Sequence, residues 1–249
     1  MESLDPQLWW LAIFGAFVLG LSKGGIMGLN NITIVLFALM FPPKLSIGII
    51  LLLLIVGDWG AFYFYRRHAV WRYLIPTIPW AIGGVIIGWL LLDRMDGEQA
   101  GRLIGSCLLV LMALHITRRY VFKAEEKEWK VPHTWWFIGL VGFLAGFTST
   151  VANAAAPIML LFFLAVGLPK LEFLGTGAWF FMFLNLFKIP FYWSIDLITW
   201  ETVIIDLKLA PVVILGVVLG RYVVLKIPQK GFEIFALVVT IIASLRLIF

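Results

Sequence analysis

Apolar residues fill this chain in runs of about twenty positions, at 45–65, 73–92, 100–117, 172–193, 203–225 and 231–249, each almost free of charge. Twenty residues of helix rise about 30 Å, the thickness of a bilayer's hydrocarbon core. Each run therefore reads as a spanning helix, the form in which a segment satisfies its own backbone polar groups in lipid. A transmembrane β-barrel would show shorter segments alternating between apolar and polar positions, and these runs do not alternate. The pattern predicts an all-α integral membrane protein.

Two further apolar stretches are interrupted, and in the same way. The first breaks across Gly20, Ser22, Lys23, Gly24, Gly25, Gly28, Asn30 and Asn31, and the second across Gly146, Thr148, Ser149, Thr150, Asn153 and Pro157. Pro43-Lys44-Leu45 follows the first and Pro169-Lys170-Leu171 the second, so the offset is 126 residues, which Gly20 and Gly146 also obey. Further on, Gly84 and Gly88 are echoed by Gly216 and Gly220 at an offset of 132, the extra residues fitting a longer loop around 195–202. The chain thus divides into a first transmembrane repeat over 1–120, a charged cytoplasmic linker over 121–133, and a second repeat over 134–249. Each half is a broken helix followed by three full ones, and paired breaks of this kind are a feature of secondary transporters.

Residues 8–22 and 31–41 would make half-helices of about 22 Å and about 16 Å. They form either one broken spanning helix or a re-entrant hairpin, and the basic residues discriminate, because such residues in short loops favour the cytoplasm. With re-entrant hairpins, twelve basic loop residues, among them Arg66, Arg67, Arg72, Lys170 and Arg221, fall on the cytoplasmic side against three outside, Lys44, Arg94 and Arg102. With spanning segments the count is eight against seven. The count favours the re-entrant arrangement over the spanning one, and its odd number of crossings per half would make the halves inverted repeats.

Composition agrees with the pattern: 62% of residues are hydrophobic, 13% are charged, and the mean hydropathy is +1.02. The formal charge of +5 is topological information in such a chain, and no soluble segment is long enough to bind nucleic acid. The acidic N-terminus, Met1-Glu2-Ser3-Leu4-Asp5, does not read as a cleavable signal. Cys107 is the single cysteine, so no internal disulfide forms, and it reads as a helix-packing residue.

Lys23 and its glycines stand at the midpoint of an apolar segment. A cation there costs about 2.5–3.5 kcal/mol on insertion scales and needs a water-filled cavity or a counter-ion. Glycines at 24 and 25 leave N–H groups unshielded, and the half-helix after them adds the positive end of its dipole. Thr148, Ser149, Thr150 and Asn153 supply neutral donors ahead of a helix starting near Pro157, and together the two breaks suit a small anion. In the alternative, Lys23 pairs with Asp58 or Glu172 and the hydroxyls only satisfy broken backbone. Asp58 is read as the one acid well inside an apolar helix, serving as a proton-coupling carboxylate or as the counter-ion of Lys23. Asn185 is a packing hydrogen bond or a substrate contact, and Lys188, near its helix end, is expected to snorkel. His68, His115 and His133 lack partners at metal spacing, so no metal is expected. No P-loop, acid/base set or other cofactor motif accompanies them, which argues against an enzyme and against direct nucleotide drive.

These residues resemble a known family. Gly20-Leu-Ser-Lys-Gly-Gly25, Phe41-Pro-Pro-Lys44, Gly57-Asp58-Trp59, the second break from Gly146 to Pro157, Gly167-Leu-Pro-Lys-Leu-Glu-Phe173, Gly175-Thr176-Gly-Ala-Trp179 and Asn185-Leu-Phe-Lys188-Ile-Pro190 look like the TauE/SafE sulfite-exporter family. The resemblance spans nearly the whole chain and implies a multi-pass permease of the bacterial inner membrane for sulfite, organosulfonates or related sulfur anions. The expected substrate-binding residues are Ser22, Lys23, Gly24, Gly25, Asn31, Thr148, Ser149, Thr150, Asn153, Thr176 and Asn185, with Asp58 as coupling or counter-ion group. Export of sulfite is the leading expectation. An organosulfonate permease, an anion channel and, in another class, a membrane enzyme or assembly factor are the alternatives.

Overall fold

The computed structural model describes residues 6–25, 29–116, 135–223 and 245, and every regular element among them is helical. In chain order these are α1 (Pro6–Lys23), α2 (Asn30–Met40), α3 (Pro43–Tyr65), α4 (Trp71–Arg94), α5 (Gly97–Ile116), α6 (Trp135–Ala152), α7 (Ala156–Ala165), α8 (Lys170–Ser194) and α9 (Trp200–Val223). A 3-10 turn, Arg66–His68, joins α3 to α4. Five described helices are long and apolar enough to cross a membrane: Pro43–His68, Trp71–Arg94, Trp135–Ala152, Lys170–Ser194 and Trp200–Tyr222. The expected linker and final apolar run lie outside the described residues.

Prolines punctuate as their chemistry requires. Phe41 and Pro42 are extended, because a following proline disfavours helical backbone, and Pro43 then starts α3 where its missing N–H costs nothing. Pro157 occupies the first turn of α7 in the same way.

Each broken segment is a helical hairpin. Thr33 Oγ1 of α2 donates to the Gly15 carbonyl of α1 at 2.9 Å, and a Cβ on Gly15 would lie 2.7 Å from the Phe37 ring. Residues after the break thus lie beside residues well before it, which requires α2 to turn back along α1. In the second break the Phe162 ring of α7 lies 6.4 Å from that of Phe137 in α6.

Glycines set the helix spacing. A Cβ at Gly20 would come within 2.2 Å of the Val213 carbonyl, and one at Gly24 within 2.5 Å of Val217, so α1 and α9 run parallel with backbones nearly touching. The repeat-equivalent pair does the same: a Cβ at Gly146 would meet the Ala81 carbonyl at 2.0 Å, and one at Gly142 the Thr77 carbonyl at 2.6 Å, so α6 lies parallel to α4. Small residues four apart allow this approach in both interfaces.

The remaining contacts fix direction. Gly48 and Gly60 of α3 meet Leu197 and Val217, so α3 runs with α9. Trp71 and Trp89 of α4 meet Trp179 and Phe191, at 4.9 and 5.4 Å, so α4 runs with α8. Across the middle, Gly175 abuts Tyr65 and His68 while Asn185 abuts Asp58, so α3 and α8 are antiparallel. Helices α1, α3 and α9 therefore run one way and α4, α6 and α8 the other. Arg66, Arg67, Arg72, Lys170 and Arg221 gather at one end, where the Arg221 guanidinium lies 4.3 Å from the Phe64 ring centre. Lys44 and Arg94 lie at the other. Large apolar side chains such as Trp10, Phe14, Ile75, Leu207 and Leu215 are exposed on the outside, as a lipid-facing surface requires.

Candidate functional site

The breaks, α3 and α8 meet in a buried polar cluster. Asn153 closes α6 in the left-handed region, at φ 50°, a conformation Asn tolerates better than most side-chain-bearing residues. Its Nδ2 donates to the Ile47 carbonyl at 2.9 Å, and its own carbonyl accepts from Asn30 Nδ2 of α2 at 3.1 Å. Asn30 thereby brings the first break onto the second, and the N-terminal ends of α2 and α7 converge at Asn153. The expectation that the two breaks adjoin is met at this contact.

Lys188 is the cation held there. Its side chain is fully buried, with 0% exposure, and does not snorkel as expected. Nζ donates to Asn153 Oδ1 at 2.9 Å and to the Ser149 carbonyl and Oγ, each at 3.0 Å. All three partners are neutral. The hydropathy of α8 suggested a helix-end lysine, but α8 runs on to Ser194, leaving Lys188 nearly two turns from the end and aimed inward at α6.

Lys23 has a different partner. It forms an ion pair with Asp58, whose second oxygen, Oδ2, accepts from Asn185 Nδ2 at 2.6 Å. Its ammonium also lies 4.7 Å from the Phe181 ring centre, a cation–π contact. Of the alternatives left open by the sequence, pairing with Asp58 is the one formed. Asn185 stands one helical turn before Lys188, so the ion pair and the lysine belong to one cluster along α8. Within it Asp58 pairs with Lys23, and Lys188 has no carboxylate among its hydrogen-bond partners. Two buried acceptors, Asn30 Oδ1 and Asn185 Oδ1, have no hydrogen-bond partner among the described residues.

Several expected ligands are occupied otherwise. The N–H groups of Gly24 and Gly25 are not free for an anion: they donate to Gly20 and Ser22 carbonyls at 2.9 and 3.1 Å, and Gly24 serves packing against α9. Thr148 and Thr150 donate back along α6, to Leu144 at 2.8 Å and Gly146 at 2.9 Å. Thr176 lies away from the cluster, accepting from the Val70 N–H at the α3–α4 end of the fold. Ser22 is half-buried, and Asn31 is buried in the first turn of α2. Tyr65 braces the first break by donating to the Gly24 carbonyl at 2.9 Å.

Asp58 is not the only acid inside an apolar helix. Asp206 in α9 is buried too, at 4% exposure, inside the run over 203–225 that reads in the sequence as almost free of charge.

A family model described as "Sulfite exporter TauE/SafE" matches residues 11–247. No curated protein and no solved structure matches the chain.

Proposed function

The chain belongs to the TauE/SafE sulfite exporter family, whose members are membrane transporters of sulfur anions, and from that premise we propose that it exports sulfite across the bacterial cytoplasmic membrane through a site centred on Lys188. The observation that carries this reading is a fully buried lysine amine that hydrogen-bonds only to neutral groups at the meeting point of both breaks. An uncompensated cation inside a membrane protein is costly and marks an ion pathway by default. A small anion on Lys188 supplies the missing charge, and the converging N-terminal ends of α2 and α7 favour the same sign. Ser149 and Asn153 exchange their hold on the lysine for contacts with the substrate.

An anion bound beside Lys188 supplies the counter-charge for its ammonium form, and a single lysine suits a monoanion. Hydrogensulfite also carries an acidic proton, for which the unpartnered Asn30 Oδ1 and Asn185 Oδ1 are ready acceptors. Lys23 and Asp58 hold α1 to α3 as a structural ion pair beside the site.

The two hairpins are re-entrant, and the halves are inverted repeats that alternate in exposing the site. Opposite running directions of α1, α3 and α9 against α6, α8 and α4 support this, as do the repeat-related glycine interfaces. Counterflow of labelled sulfite in proteoliposomes, competed with thiosulfate, sulfoacetate and chloride, tests the reading. Absence of counterflow with intact protein, or equal competition by chloride, overturns sulfite as substrate.

A further inference from the structure

We propose that Asp206 is the proton-carrying group of the transport cycle, a carboxyl that is protonated in the arrangement described here and ionises when the cycle opens it to water. Asp206 stands six residues into α9, about 9 Å from the helix start. It belongs to the inward stripe of that helix with Thr202, Leu209, Val213 and Val217, all buried. Among the described residues, neither of its side-chain oxygens has a hydrogen-bond partner. An ionised carboxylate so placed has neither solvation nor counter-charge, so the neutral acid is the form this environment holds.

Among the described residues the surroundings offer no salt-bridge role. α9 packs on α1 and α3. The one basic group of α1 in the described residues, Lys23, lies level with the far end of α9, where Gly24 meets Val217 and Gly220, and is paired to Asp58. On α3 the charged residues are Lys44 at its start and Asp58 near its far end, and residues 45–57 carry none. Along α9 itself, Glu201 precedes Asp206, Lys208 is exposed with its ammonium 5.4 Å from the Trp9 ring centre, and Arg221 lies over Phe64 at the far end. The position equivalent to Asp206 in the first half, by the 132-residue offset, is Leu74, also buried. Packing at this level is therefore met by a leucine, and the carboxyl adds only a proton that can be bound and released. A buried unsatisfied group with no structural return calls for such a role. Asp58, fixed by Lys23 and Asn185, is less free to do this.

This inference rests on the transport reading but is read out separately. Purified wild type and Asp206→Asn are reconstituted, and labelled sulfite is followed in counterflow at equal pH and in net flux under an imposed pH gradient, with protein-free liposomes subtracted. The expected result is that wild-type net flux responds to the gradient, whereas Asp206→Asn loses at least ten-fold of that response. The variant keeps exchange, which moves no net proton, and Asp206→Glu recovers part of the response. In parallel, the infrared band of a protonated carboxyl should be present in wild type and missing from Asp206→Asn. An unchanged gradient response in Asp206→Asn, loss of exchange along with it, or no such band assigned to Asp206 overturns the proposal. A wild type that shows no sulfite counterflow overturns the substrate reading instead, while the infrared band still decides the protonation of Asp206.

Discussion

Lys188 and Lys23 differ by one partner, and that difference assigns their roles. Lys23 faces a carboxylate, so truncating it strands Asp58 in a buried site at a cost of about 3–5 kcal/mol. Lys23→Met is therefore expected to lower the yield of folded protein, and adding Asp58→Asn should restore both yield and sulfite counterflow; extracted yield and flux of the single and double variants check this. Lys188 hydrogen-bonds only to neutral groups, so Lys188→Met strands no charge. It should leave yield near wild type while reducing sulfite counterflow at least a hundred-fold, measured on equal amounts of reconstituted protein. Retained transport in Lys188→Met would place the anion elsewhere.

At the scale of elements, close helix approach through glycine is the main device. Gly146 faces the Ala81 carbonyl and Gly20 the Val213 carbonyl at distances that admit no side-chain carbon. Gly146→Ala and Gly20→Ala should each destabilise by about 1–3 kcal/mol, the usual range for overpacking, visible as lower melting temperatures in detergent. Gly83 and Gly97, with nothing within 4 Å of a Cβ, should tolerate alanine under the same measurement. The sequence displayed Gly20 and Gly146 as part of the breaks; in the fold they are interior to α1 and α6, and the breaks come later, after Lys23 and after Ala152. Spacing alone does not separate a glycine needed for a turn from one needed for a neighbour, because the neighbour is 65 residues away for Gly146 and 193 for Gly20.

For the whole molecule, the meeting of the two breaks and the opposed helix directions make joint forecasts. In a Cys107→Ser background, cysteines replacing Asn30 and Asn153 should form a disulfide, since the Asn30 amide already touches the Asn153 backbone at 3.1 Å. Oxidation followed by a mobility shift after cleavage in the linker reads this out. Single cysteines at His68 and Ile195, at opposite ends of the α3–α8 pair, should label from opposite sides of the membrane with an impermeant thiol reagent. Labelling of both from the outside would remove the inverted arrangement.

The sequence by itself determined what depends on local composition: the membrane setting, the helix lengths, the two breaks with their prolines, the repeat offset and the family. A bilayer imposes its thickness and its demand for internal hydrogen bonds segment by segment, so runs and interruptions report them directly. Ser149, Asn153 and Asn185 were legible as candidates for the same reason, being polar where lipid forbids it. Tertiary structure alone decided which of these polar groups meet. Lys23 finds Asp58 thirty-five residues on, Lys188 finds Ser149 and Asn153 on another helix, and Asp206 finds no partner among the described residues. Those outcomes depend on which helix faces are brought together by glycine-mediated contacts, and a charge buried in low dielectric is defined by its neighbours more than by its position in the chain.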